Sequence, residues 1–132
     1  MQTLKTRIST LALIAGLAVS ALAGVKVGDT FPELAGFKLE GALPDLKGKV
    51  VIVAVNVDEN ASDKEAFLKE NTAEFSVVRD AKQKLVDQVE IGTMPSSFVL
   101  DRDGKVRFAH KGFFGGESKK KYVEEIDSLL GK

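Results

Sequence analysis

The run Val50–Val57, "VVIVAVNV", constrains the fold more than any other stretch. It is almost entirely apolar and β-branched, and shows no alternation toward a solvent side. Such residues stiffen at χ1 and favour extended backbone. A strand without alternation is expected to be covered on both faces, as in a parallel sheet flanked by helices. The chain is therefore expected to be α/β.

The rest of the sequence supplies the flanking elements. Ser62, with Glu65 three residues later, reads as a capping box. It predicts a helix running to about Asn71, with Ala66 and Phe67 turned inward. "FSVV", Phe75–Val78, predicts a short strand. Asp80 is placed to cap a second helix over "AKQKLVDQVE", packing through Leu85, Val86 and Val89. "SSFVLD" and "KVRFAHKG" predict two strands joined by "DRDG", where Asp and Gly suit a tight turn. A last helix, about Ser118–Leu130, is expected to bury Tyr122, Val123, Ile126, Leu129 and Leu130, with Gly131 as its stop. Strand, helix, strand, helix, hairpin, helix is the order of an α/β sandwich with a mixed sheet.

Residues 1–23 read differently. Lys5 and Arg7 precede the apolar run Leu11–Val19, and Ala21-Leu22-Ala23 closes it. These are the parts of a secretory signal peptide. An uncleaved N-terminal anchor is the alternative, but the run is short of the roughly 20 residues a span needs. Cleavage after Ala23 would leave 132 − 23 = 109 residues, 24–132, enough for one domain. The leader takes two of the 19 basic and none of the 19 acidic residues, so the remainder carries 17 − 19 = −2. That balance favours neither nucleic acid nor an anionic membrane. No membrane span is expected after cleavage, and the location read from the leader is periplasmic.

"VGDTFPEL…LPDLKGKVVIV", "VNVDENASDKEAFLKEN…FSVVRD" and "IGTMPSSFVLDRDGKVRFAHKGF" together resemble the thioredoxin-like redoxins of the TlpA-type periplasmic branch. The likeness runs over essentially all of 24–132. It implies a thioredoxin-like sandwich with helices on both faces of a mixed sheet, and a cis-proline loop at Pro95. It further implies that Thr93 and Met94, just before that proline, pair through their backbone with an extended polypeptide. The family activity implied is thiol–disulfide exchange. Here the sequence departs from the pattern. The family places a Trp-Cys-x-x-Cys helix after a strand like "KGKVVIV", whereas "KGKVVIVAVNVDEN" runs straight on. A helix and about one strand are missing, and the sheet is expected to keep about four strands. The run Val50–Val57 is expected between "FSVV" and "SSFVLD", with a less covered face through which copies of the chain could associate.

The 132 residues include no cysteine. Exchange needs one thiolate to attack and a second thiol to resolve the mixed disulfide, so no catalytic residue is expected. His110, the one histidine, has no second ligand at metal spacing and reads as a strand residue. Asp101 and Asp103 lack the remaining ligands of a calcium loop and read as turn residues. Lys119–Lys121 read as a solvated face. No metal or cofactor is expected. Two functional readings follow: a non-catalytic exported domain that binds polypeptide or persists as a degenerate paralogue, or a shortened form of a periplasmic thiol–disulfide oxidoreductase.

Overall fold

The computed structural model describes residues 24–46 and 50–132. The signal-peptide reading falls on residues 1–23, and so lies outside the described residues. Among those described, no helix is long and apolar enough to cross a membrane. The elements are β1 Val53–Asn56, α1 Ala61–Glu70, β2 Ser76–Arg79, α2 Lys84–Val89, β3 Ser96–Leu100, β4 Val106–Lys111 and α3 Gly116–Leu130. A 3₁₀ turn at Leu34–Gly36 precedes them. The order is the α/β order expected.

The sheet is not continuous. β1 pairs in parallel with β2, and β3 pairs antiparallel with β4, as two separate two-stranded sheets. The expectation that β1 would sit between β2 and β3 is corrected. Each pair is closed by its own connection, α1 for the first and a tight turn for the second. Among the described residues, β1 thus fills one strand position where the resemblance has two, and no second strand pairs with β3 on the side away from β4. The hairpin turn uses Gly104 at φ +76, a conformation that costs glycine little. Asp101 organises this turn. Its carboxylate accepts from the N–H groups of Lys105 and Asp103 at 3.0 and 2.9 Å. The Lys105 bond foremost, then those of Asp103 and Arg107, holds that carboxyl below the usual aspartate range.

The N-terminal segment ties the two halves together. Thr30 bridges Lys105 and Glu40 bridges Arg79, both antiparallel. Phe31 packs its ring on Phe98 of β3 at 5.2 Å between centroids. Arg79, 8% exposed, fixes the other half. Its guanidinium donates to the Glu40 carboxylate and to the carbonyls of Asp58 and Glu59.

The core is small. Among the described residues, its buried apolar members are Val78, Leu85, Val89 and Val106. β1 contributes none, so the expected two-sided burial of Val50–Val57 is corrected: Val50 and Ile52 are more than half exposed. A strand's composition permits burial, but a covering layer has to be present to supply it. α1 also differs. It starts after Asn60 rather than at a Ser62 capping box, it buries no residue, and Phe67 is exposed. α2 is shorter than expected because Asp80–Gln83 forms a turn first, with Gln83 left-handed at φ 54. Asp80 nevertheless caps the helix as expected, accepting from the N–H groups of Lys84, Leu85 and Val86. In α3, Gly131 terminates the helix at φ 73, but Val123 is exposed and Glu125 takes the buried place.

Candidate functional site

The loop Gly92–Pro95 lies between the end of α2 and the start of β3. Glu90, left-handed at φ 50, turns the chain out of α2. Ile91 N–H still donates to the Val86 carbonyl. Two bonds then hold the loop. Ser96 Oγ donates to the Thr93 carbonyl at 2.5 Å, and Gly112 N–H donates to the Pro95 carbonyl at 2.7 Å. The Met94–Pro95 peptide is cis.

Between those anchors Met94 stands apart. Its side chain is exposed, and among the described residues neither of its backbone groups has a hydrogen-bond partner. The Thr93 carbonyl, by contrast, is already taken by Ser96. Backbone polar groups left open on the surface are available to a strand laid alongside them.

The Pro95–Gly112 bond brings a second feature to the loop. Just beyond Gly112 lie Phe113 and Phe114, with Phe114 74% exposed. The Phe114 ring folds back so closely that a Cβ on Gly112 would meet it at 3.2 Å, and Gly112 itself sits at φ +84. Phe114 N–H is held by Ser118 Oγ at the start of α3. Three large apolar side chains are thus presented to solvent on segments joined by one hydrogen bond. Phe113 and Phe114 had a signal in the sequence, an aromatic pair between two glycine turns in "KGFFGG", which strand and helix patterning passes over.

A polar cluster lies behind the hairpin. His110 Nε2 and Glu125 Oε2 are 2.7 Å apart, with both side chains largely buried. The His110 ring packs edge-on against Tyr122 at 4.8 Å. The Tyr122 hydroxyl shares a hydrogen bond of 2.7 Å with Ser97 Oγ, and Ser97 is the cross-strand partner of His110. His110 therefore has a specific partner that a search for metal-ligand spacing does not find. The cluster locks α3 onto β3 and β4. Among the described residues, no group of three or more His, Cys, Asp or Glu could hold a metal.

Comparison with known proteins bears on these features together. A family model described as thioredoxin-like matches residues 16–106. Sporulation thiol-disulfide oxidoreductase A of Bacillus subtilis is 33% identical over 76 residues, 58% of this chain and 46% of that protein. Thiol-disulfide oxidoreductase ResA of Geobacillus thermodenitrificans is 31% identical over 80 residues, 61% of this chain and 46% of that one. The chain thus spans less than half the length of each. Among solved structures, a protein assigned as the thiol:disulfide interchange protein DsbE of Chlorobium tepidum superposes with a TM-score of 0.55 at 34% identity. That match covers 60% of this chain and 56% of the other.

Proposed function

The chain belongs to the thioredoxin-like family, and from that premise we propose that it is a non-catalytic binding domain that captures extended, apolar polypeptide at the loop before Pro95. The observation that carries this reading is Met94, whose side chain is exposed and whose backbone groups are open, next to Pro95, whose carbonyl is bonded to Gly112 just before the exposed Phe113 and Phe114. Met94 would pair by its backbone with one residue of the bound segment. Its side chain and the two phenylalanines would take apolar side chains on either side. Thr93 and Pro95 set the geometry rather than the affinity, since their carbonyls are held within the loop.

The relatives are thiol–disulfide oxidoreductases by name. This chain has no thiol to attack a disulfide or to resolve one. Binding is the part of such a cycle that its residues retain. We place the protein in the TlpA-type branch and outside the cytoplasm, after cleavage following Ala23. Such a leader delivers the chain to the compartment where unfolded exported polypeptides are found.

The test uses a labelled, carboxymethylated and hence permanently unfolded polypeptide. Fluorescence anisotropy should show saturable binding. Met94→Asp should weaken it at least about tenfold, the equivalent of about 1.4 kcal/mol of lost apolar contact. Phe114→Ala should weaken it less. Unchanged binding in Met94→Asp would remove the loop from the reading. In parallel, protein freed of contaminating thioredoxin should leave insulin disulfides intact over the background rate. Sustained turnover would show that the chain acts as a catalyst by some other group.

A second reading is favoured by the break in the sheet. Among the described residues the two half-sheets share no strand, and Val50–Val57 is where the resemblance loses one. On this reading the chain is a shortened form of a thiol–disulfide oxidoreductase whose full-length version is active. The discriminating observation is the genomic sequence around the codons for Val50–Val57. An in-frame Cys-x-x-Cys segment at that junction in close relatives would favour it.

A further inference from the structure

We infer that the amino group freed at Gly24 when the leader is removed is received by the Glu90 carboxylate, and that this ion pair fixes the end of α2 from which the Met94 loop departs. The inference rests on the proposed cleavage after Ala23. It adds a receiving residue and a consequence for the loop.

Two independent observations meet at Gly24. The first is the leader pattern Ala21-Leu22-Ala23, which makes residue 24 the first of the processed chain. The second is the setting of Gly24 in the fold. Its nitrogen donates to Glu90 Oε2 at 2.8 Å, across 66 residues of sequence. A Cβ at this position would lie 2.6 Å from Glu90 Cβ and 3.0 Å from the Val89 carbonyl oxygen. A larger residue would therefore push the nitrogen off the carboxylate.

Glu90 is itself an unusual choice. It ends α2 at φ 50 and ψ 58, a left-handed place where helices most often set glycine or asparagine. A residue with a Cβ is strained there, and such strain points to a task for the side chain. The backbone at this point is weakly held. Glu90 N–H and Ile91 N–H reach the Asp87 and Val86 carbonyls only at 3.4 Å, near the limit of hydrogen bonding. The contact with Gly24 is shorter than either. At the other end of the loop, Ser96 and Gly112 already hold Thr93 and Pro95.

Cleavage changes the donor. Hydrolysis of the Ala23–Gly24 peptide bond adds one water. Its oxygen joins the Ala23 carbonyl carbon, which leaves as a carboxylate, and both of its hydrogens end on the Gly24 nitrogen. A neutral N–H thus becomes an ammonium at the same place. A charge-assisted bond to a carboxylate is roughly twice as strong as a neutral one. Glu90 acts as a positioning residue for the loop that follows it.

The experiment compares the chain made to begin at Gly24 with one that keeps Ala21–Ala23, each with and without Glu90→Gln. Glutamine keeps an acceptor and removes the charge. Followed by NMR, the terminal amine of the first chain should titrate about half a unit above the ordinary α-amino range of about 7.7–8.0, because a nearby carboxylate favours the charged form. It should return to that range in Glu90→Gln and in Gly24→Ala. Amide exchange at positions 90 and 91 should be about threefold slower in the chain beginning at Gly24 than in the one beginning at Ala21, as suits an exposed pair. Glu90→Gln should erase that difference, and so should about 1 M salt. The amine midpoint and the exchange rates decide the inference whether or not the carboxymethylated polypeptide binds, which separates it from the fate of the binding site. An ordinary midpoint in the chain beginning at Gly24 overturns it. So does an equal effect of Glu90→Gln on exchange in both chains. Amino-terminal sequencing of the exported protein tests the cleavage by itself, and a first residue other than Gly24 overturns both readings.

Discussion

Replacing Asp80 with alanine should destabilise the protein by about 3 kcal/mol, the sum expected for a helix cap and several bonds to one buried carboxylate. Asp80 is 3% exposed. One of its oxygens accepts from Lys84 N–H at 3.1 Å, and the other from Leu85 and Val86 N–H at 2.8 and 3.1 Å. These are orphan donors of the first turn of α2, which has no earlier carbonyls to meet them. α2 is six residues long, far too short to persist without help. It carries Leu85 and Val89, two of the four buried apolar side chains among the described residues. Loosening its first turn therefore loosens the core as well as the cap. Asp80→Asn keeps an acceptor oxygen and should lose about half as much. Urea unfolding measures both. For a domain near 100 residues, 3 kcal/mol corresponds to a fall in melting temperature on the order of 10–20 °C. A loss below about 1 kcal/mol in the alanine variant would show that α2 is held by its packing alone.

What the sequence allowed and what it hid follow one division. Features specified within a few residues were readable. Asp80 as a cap, the Asp-Gly turn, Gly131 as a stop and the strand character of Val50–Val57 all depend on local backbone chemistry. The loop at Pro95 was readable through its resemblance. Features that need a partner from elsewhere were not. β1 has the composition of a buried strand, yet nothing within it reports whether a covering layer is present. Ser62 and Glu65 satisfy a capping pattern, but Asn60 and Ala61 already open the helix. Phe67 faces solvent because α1 buries no residue at all. Phe113 and Phe114 belong to no periodic segment, and matter only because Gly112 is bonded to Pro95 across the loop.

The clearest inversion concerns α3, and it sets the second large effect. Val123 is expected inside because it is apolar and spaced three residues from Ile126, and Glu125 is not among the residues expected there. Spacing alone admits Glu125 as well. Glu125 lies three residues after Tyr122 and four before Leu129, on the helix stripe itself. Val123 sits about a quarter-turn off that stripe, and is 53% exposed where Glu125 is 7%. Glu125→Ala should therefore cost about 2 kcal/mol, because it strands the His110 nitrogen in a largely buried place. Val123→Ala should cost under about 0.5 kcal/mol, as other exposed changes do. A glutamate would outweigh a valine on the same helix. Glu125→Gln retains an oxygen at hydrogen-bond distance and should fall between them. His110→Ala combined with Glu125→Ala should cost less than the two changes added, by on the order of 1 kcal/mol, since the second removes a group already without its mate. Urea unfolding of the four single variants and the double mutant gives the comparison. Equal losses for Val123→Ala and Glu125→Ala, or strict additivity of the double mutant, would mean that α3 is held to the hairpin by its apolar stripe without the His110–Glu125 contact.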